Sequence, residues 1–180
     1  MSNACSKKSG FTLVEALVVV AIMGILSGIG VVSFQSAVSN SRIKDVGINV
    51  TAFMLRAANE ATRLNEKLCV TVASDNKTMN LYTGACDEID AASSSPIDQF
   101  ALESISEFVT GDNGACPVNT VSPYEGNSVT LTPKIGVSPI PAGCFLIKYG
   151  GSDRRASSVK LPTKFAMEYR LSYDGGETWE

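Results

Sequence analysis

Glu15 is the first residue to invite a chemical reading, because it is the single ionisable side chain in the 22-residue run 11–32. A carboxylate in such a run costs a few kcal/mol, on the order of 3, if the segment enters a bilayer, and such residues usually serve a function. The plainer account is a carboxylate close enough to the interface to stay hydrated. The five cysteines are the next chemistry-bearing group: Cys5, Cys69, Cys86, Cys116 and Cys144. Their wide spacings are unlike zinc ligand pairs, so no metal site is expected and disulfides are the better use. Histidine is absent, which removes Ser-His-Asp and Cys-His nucleophile systems and every imidazole-dependent zinc site. The phosphate-binding motifs G-x-x-x-x-G-K-[ST] and G-x-G-x-x-G are missing as well, as is the metal or redox motif C-x-x-C. The reading is therefore of a protein that is not an enzyme and needs no cofactor.

Other charged groups weigh less. Arg154, Arg155, Lys160 and Lys164 form a basic stretch with Asp153 as its one acid, suited either to nucleic acid or to an ordinary solvated loop. Lys7 and Lys8 precede Phe11 and no acid does, which leaves 13 basic residues against 18 acids in the remainder. That acidic balance favours the loop over phosphate binding. Asp87, Glu88 and Asp90 lack the regular spacing of a calcium loop. Asp98 and Glu103 have no apolar surroundings to separate their pKa values, so they are not read as a catalytic pair.

The elements that position these residues follow from periodicity. At about 1.5 Å per residue, residues 11–32 span roughly 33 Å, enough to cross a hydrocarbon core. The run is too long for a cleaved secretory signal and has no A-x-A-like exit. Gly24 and Gly28 make a G-x-x-x-G, a weak packing signal on its own. Beyond the run, Ile43, Val46, Val50, Phe53 or Met54, Ala57, Ala61, Leu64 and Leu68 recur at steps of three and four, with charges on other faces. One helix from about Phe11 to about Asn65 is predicted, apolar all round and then amphipathic. Cys69–Ala73 and Met79–Thr83 flank a polar turn and read as a hairpin. Ser128–Pro133, Cys144–Tyr149 and Phe165–Tyr173 read as further strands, and Asp174-Gly175-Gly176 as a turn. Residues 84–127 read as a variable loop region in which Ile97–Val109 is a short helix or strand.

The junction Gly10-Phe11-Thr12-Leu13-Val14-Glu15-Ala16, with the apolar helix directly after it, resembles the processing motif of type IV prepilins and type II secretion pseudopilins. The resemblance implies cleavage by prepilin peptidase between Gly10 and Phe11 at the cytoplasmic face, and N-methylation of Phe11. It also implies that Glu15 attracts the Phe11 amine of a neighbouring subunit during assembly. Major pilins often carry a proline near the end of the apolar segment; Ile29-Gly30-Val31-Val32-Ser33 has none. Residues 57–70 (Ala-Ala-Asn-Glu-Ala-Thr-Arg-Leu-Asn-Glu-Lys-Leu-Cys-Val) are similar to the helix end and first strand of the minor pseudopilin H and minor pilin T class (GspH/FimT-like). That likeness extends over about the first 85 residues.

The expected fold is α+β, a pilin fold with the long helix packed on an antiparallel sheet. It comprises a leader (1–10), a membrane segment (11–32), an amphipathic continuation (33–66) and a β-rich head (67–180). Cys5 is lost with the leader. An even count of four cysteines outside the inner membrane favours two disulfides. Of three connectivities, Cys69–Cys86 across the hairpin and Cys116–Cys144 between loop region and sheet are preferred. The implied setting is a single-pass inner-membrane protein of a bacterium, head in the periplasm, then a pilus or pseudopilus fibre. Its implied partners are prepilin peptidase, other pilin or pseudopilin subunits and an inner-membrane assembly platform. A DNA-binding tip subunit and a major fibre-forming pilin are the alternatives.

Overall fold

Helix α1, Leu13–Leu64, is the longest element of the computed structural model, which describes residues 10–90, 93–103, 105–109, 116, 127–134, 136–137, 143–150, 155–160, 167–174 and 178–180. The helix runs through two structural units, residues 1–38 and 39–180. It begins two residues later and ends one residue earlier than its periodicity predicts. Both ends have local causes. Thr12 caps the start, and Asn65 adopts a left-handed φ of 55° at the end. The Glu66 N–H then reaches back to the Ala61 carbonyl at 3.2 Å, the 6→1 bond that closes a Schellman motif.

Within the second unit the helix buries the expected stripe. Ile43, Val46, Val50, Phe53, Met54, Ala57 and Ala61 are all buried, and Phe53 and Met54 both belong to it rather than one of the two. Leu64 is exposed, because the chain turns away at Asn65 before another helical turn can use it.

Nine strands follow among the described residues: β1 Leu68–Val72, β2 Thr78–Thr83, β3 Asp98–Ala101, β4 Ser106–Phe108, β5 Ser128–Thr132, β6 Gly136–Val137, β7 Phe145–Tyr149, β8 Ala156–Lys160 and β9 Glu168–Ser172. They form two antiparallel sheets, ordered β3-β2-β1-β5-β6 and β4-β7-β8-β9. The β1–β2 hairpin pairs Leu68 with Thr83 and Val72 with Met79. Its turn is organised by Asp75, whose Oδ1 accepts from the Lys77 N–H (2.8 Å) and the Thr78 N–H (2.9 Å) while Oδ2 accepts from the Thr78 hydroxyl (2.7 Å). These bonds, led by the one from the Lys77 backbone, hold the Asp75 carboxyl below its ordinary value. Asn76 takes the left-handed position of that turn, φ 55°, which asparagine tolerates better than most residues.

Both sheets and the stripe share one core. Leu68 and Val70 of β1, Met79 and Leu81 of β2, and Val129 and Leu131 of β5 point into it from the larger sheet. Phe108, Phe145, Ile147, Val159 and Leu171 do so from the smaller. Fully burying one such side chain contributes about 1.5–3 kcal/mol. The helix comes close to β8 at Gly47, where an added Cβ would clash with the Ser157 hydroxyl and lie 3.3 Å from the Tyr169 ring. Ser157 and Ser158 are wholly buried.

That strand corrects the sequence reading of 151–164 as a solvated loop. Residues 156–159 are buried, and two consecutive serines hid the pattern because hydropathy does not mark them as core; the small Ser157 lies against the helix at Gly47. Ile97–Val109 resolves into two short strands, β3 and β4, in different sheets. Such brief segments are too short for alternation to show. The two-residue β6 was not anticipated, and the last strand starts at Glu168; residues 161–166 lie outside the described residues.

The last turn is built on Asp174. Its carboxylate accepts from the Ser172 hydroxyl (2.7 Å), the Thr178 N–H (3.0 Å) and the Thr178 hydroxyl. Leu171 and Glu180 then exchange backbone hydrogen bonds of 3.0 and 2.9 Å. Trp179 packs against a small cluster of Val109, Cys116, Cys144, Leu146 and Ala156.

Candidate functional site

The N-terminal unit holds the residues singled out first. Gly10 and Phe11 precede the helix, and Phe11 is 79% exposed. Thr12 is the N-cap by two criteria. Its Oγ1 accepts from the Glu15 N–H at 3.2 Å, and its carbonyl accepts the first intrahelical bond, from the Ala16 N–H at 3.1 Å. Glu15 therefore sits in the first helical turn, where the unsatisfied N–H groups favour a negative charge. Its side chain is exposed.

After Glu15 the helix carries apolar side chains on every face. Leu17, Val18, Val20, Ile22, Met23, Ile25, Leu26 and Ile29 are all exposed. Water cannot stably cover such a surface, and length and composition match a membrane span. Nothing lies within 4 Å of a Cβ built on Gly24 or Gly28, so this G-x-x-x-G face is open. The polar Ser27 hydroxyl is satisfied within the helix, donating to the Met23 carbonyl at 2.7 Å.

In the head, Cys69 is joined to Cys86 and Cys116 to Cys144, the connectivity preferred from the hairpin argument. The first bond ties the strand leaving the helix to the segment after β2. Cys86 is held further by its N–H, which donates to the Thr130 hydroxyl on β5 at 3.0 Å. The second bond joins Cys116 to the residue immediately before β7.

The remaining candidates do not converge. Arg155 is half-buried, with its Nε donating to Asn40 Oδ1 at 2.6 Å; the bond fastens the start of β8 to the helix. Lys160 ends β8, opposite Glu168 of β9. Arg154 and Lys164 lie outside the described residues. Asp87, Glu88 and Asp90 are exposed, and no metal-holding group of three acids or cysteines occurs among the described residues. Asp98 pairs with Arg56 at 2.7 Å and Glu103 is exposed, so the two carboxyls serve no common site. Arg56 also lies over the Phe53 ring, 5.5 Å from its centroid. Shallow depressions of about 200 and 320 Å³ flank Arg56, at or below the lower end of the roughly 300–1,000 Å³ usual for ligand clefts.

Sequence reasoning missed the cap. Its signal is Thr12 followed three residues later by Glu15, a capping-box spacing carried by the same residue whose charge stands out in the apolar run.

The prokaryotic N-terminal methylation motif matches residues 5–31. No curated protein sequence matches the chain significantly. Among solved structures the chain is similar to the type IV minor pilin FimU of Pseudomonas aeruginosa, at 11% identity, covering 75% of this chain and 96% of that one with a TM-score of 0.52. A likeness of lower TM-score, 0.42, is to the minor pseudopilin EpsH from the type 2 secretion system of Vibrio cholerae, at 11% identity over 76% of this chain and 99% of that one. The likeness to FimU shows that the fold, one long N-terminal helix with antiparallel sheets, is the pilin fold.

Proposed function

We propose that this pilin-like chain, with its N-terminal methylation motif, is the precursor of a minor pilin or pseudopilin that is cut, inserted in a membrane and built into a fibre. The observation that carries the reading is placement. The methylation motif spans 5–31 and runs directly into an exposed, all-apolar helix whose continuation supports a pilin-type head.

Each residue then has a task. Gly10 and Phe11 flank the bond that prepilin peptidase cuts. Glycine, lacking a β-carbon, lets the backbone approach a protease closely. Glu15 becomes the fifth residue of the mature chain and receives the charged amine of a neighbouring Phe11. A carboxylate in an apolar helix that finds its counter-charge only on assembly disfavours out-of-register packing. The partners are prepilin peptidase, other pilin or pseudopilin subunits and an inner-membrane assembly platform. The two disulfides fit a head on the oxidising side of that membrane.

Intact-mass measurement of the protein purified from membranes tests the foundation. A mature chain beginning at Phe11 with one added methyl group is expected. A chain still beginning at Met1, or cut elsewhere, would overturn the assignment.

A further inference from the structure

We infer that Thr12 is a positioning residue for processing: its cap holds the Gly10–Phe11 bond outside the helix, where a protease can reach it. The inference rests on the proposed cleavage at that bond and adds a residue to it.

Thr12 Oγ1 accepts from the Glu15 N–H at 3.2 Å while the Thr12 carbonyl accepts from Ala16 at 3.1 Å. An N-cap residue has non-helical backbone angles, so everything before it leaves the helix axis. Gly10 and Phe11 do so here and are exposed. The scissile bond thus lies one residue upstream of the cap.

The sequence then determines where the helix goes if the cap is lost. Good N-caps are Ser, Thr, Asp or Asn. Between Leu13 and Leu26 there is none, and Ser27 is the first such residue towards the C-terminus. Retreat to Ser27 would dismantle the apolar segment, whose backbone must stay hydrogen-bonded in a bilayer. Towards the N-terminus the next capping residue is Ser9. A cap there makes Gly10 and Phe11 the first two helical residues and draws the bond between them into the first turn. Loss of the Thr12 oxygen therefore slows cleavage rather than exposing the bond further.

The test uses the full-length precursor in detergent micelles with purified prepilin peptidase. kcat/KM is measured for wild type, Thr12→Val, Thr12→Ser and Thr12→Asn, and products are identified by mass. Thr12→Val keeps the shape and removes the acceptor; it is expected to lower kcat/KM by about three- to tenfold, the size of a lost cap. Ser and Asn retain a capping oxygen and are expected to restore wild-type cleavage. Cα chemical shifts of Gly10 and Phe11 should become helical in Thr12→Val alone. Unchanged cleavage of Thr12→Val, or a loss that neither Ser nor Asn rescues, overturns the inference while leaving the processing site standing. Failure of wild type to be cut at Gly10–Phe11 overturns the underlying reading instead.

Discussion

The two halves of α1 face opposite problems. From Leu13 to Ile29 the described side chains of the helix are exposed, and apolar ones lie on all its faces. From Ser39 to Leu64 the same element confines its large buried side chains to one stripe and covers them with residues from both sheets. The first half needs an apolar surrounding supplied from outside the chain; the second makes its own. A helix that is apolar all round and one with a polar face are different physical objects even when continuous. The consequence is that a single kind of substitution should have opposite effects in the two halves.

The strongest way to break the comparison is a charge placed in each. Val50 is fully buried and Val20 is exposed. Val50→Asp should cost more than about 4 kcal/mol and unfold the head. Val20→Asp should leave head melting unchanged and impair membrane insertion, at a cost of about 3 kcal/mol. Near-UV circular dichroism of the detergent-solubilised protein, read through its one tryptophan, separates the two. Equal melting losses would show that the halves are not energetically distinct.

Next in size are the disulfides, which exist only in the head. Replacing Cys69 and Cys86 together by serine should destabilise the head by about 3 kcal/mol, and the Cys116/Cys144 pair slightly more because its sequence separation is 28 rather than 17. Thermal melts of the two double variants measure this order.

Glycines make a sharper contrast. Gly47→Ala should destabilise by about 1–3 kcal/mol through its clash with Ser157. Adding Ser157→Ala should recover most of that loss, since the hydroxyl makes the severe clash and the Tyr169 ring, at 3.3 Å, has to give by only a few tenths of an ångström. Gly28→Ala, in the open half, should leave head melting unchanged. Chemical denaturation of wild type, Gly47→Ala, Ser157→Ala and the double variant gives the coupling, with Gly28→Ala as the control.

Glu15→Ala separates assembly from folding. Processing and head melting should remain normal while incorporation into fibres falls by about tenfold or more, as loss of a paired charge implies. Sheared-fibre immunoblots beside membrane fractions read this; lost cleavage would instead assign Glu15 to the peptidase step.

The smallest effect is a pH dependence at the β1–β2 turn. The Asp75 carboxyl is held below its ordinary value of 3.8, so its contribution is fully present above that value. It is lost as pH falls through the lower folded-state value. The group is solvent-exposed, which limits the effect to under about 1 kcal/mol. Comparing wild type and Asp75→Asn melts at pH 7 and pH 2.5 should show the difference between them shrink.

How legible the protein was from its residues differs along the chain for a physical reason. The helix, its stripe from Ile43 to Ala61, the β1–β2 hairpin and the motif from Gly10 to Ala16 are local patterns, encoded within a few turns or a few strand steps. Placement of Asp98–Ala101 and Ser106–Phe108 in different sheets, and the burial of Ser157 and Ser158, are not local. They depend on what packs opposite: Phe100 is paired through β2, and Ser157 fits against the helix because Gly47 has no side chain. Arg155 makes the same point, since its partner Asn40 is 115 residues away.

By itself the sequence determined the elements whose information is periodic or contiguous: an apolar helix with one carboxylate, an amphipathic continuation, a hairpin and a processing-type junction. Only the tertiary structure decided the division into two sheets, the buried strand among apparently solvated residues and the bond that removes Arg155 from open solvent. Hydrophobic period is written into neighbouring residues, whereas close packing is a property of surfaces that meet only after the chain has folded.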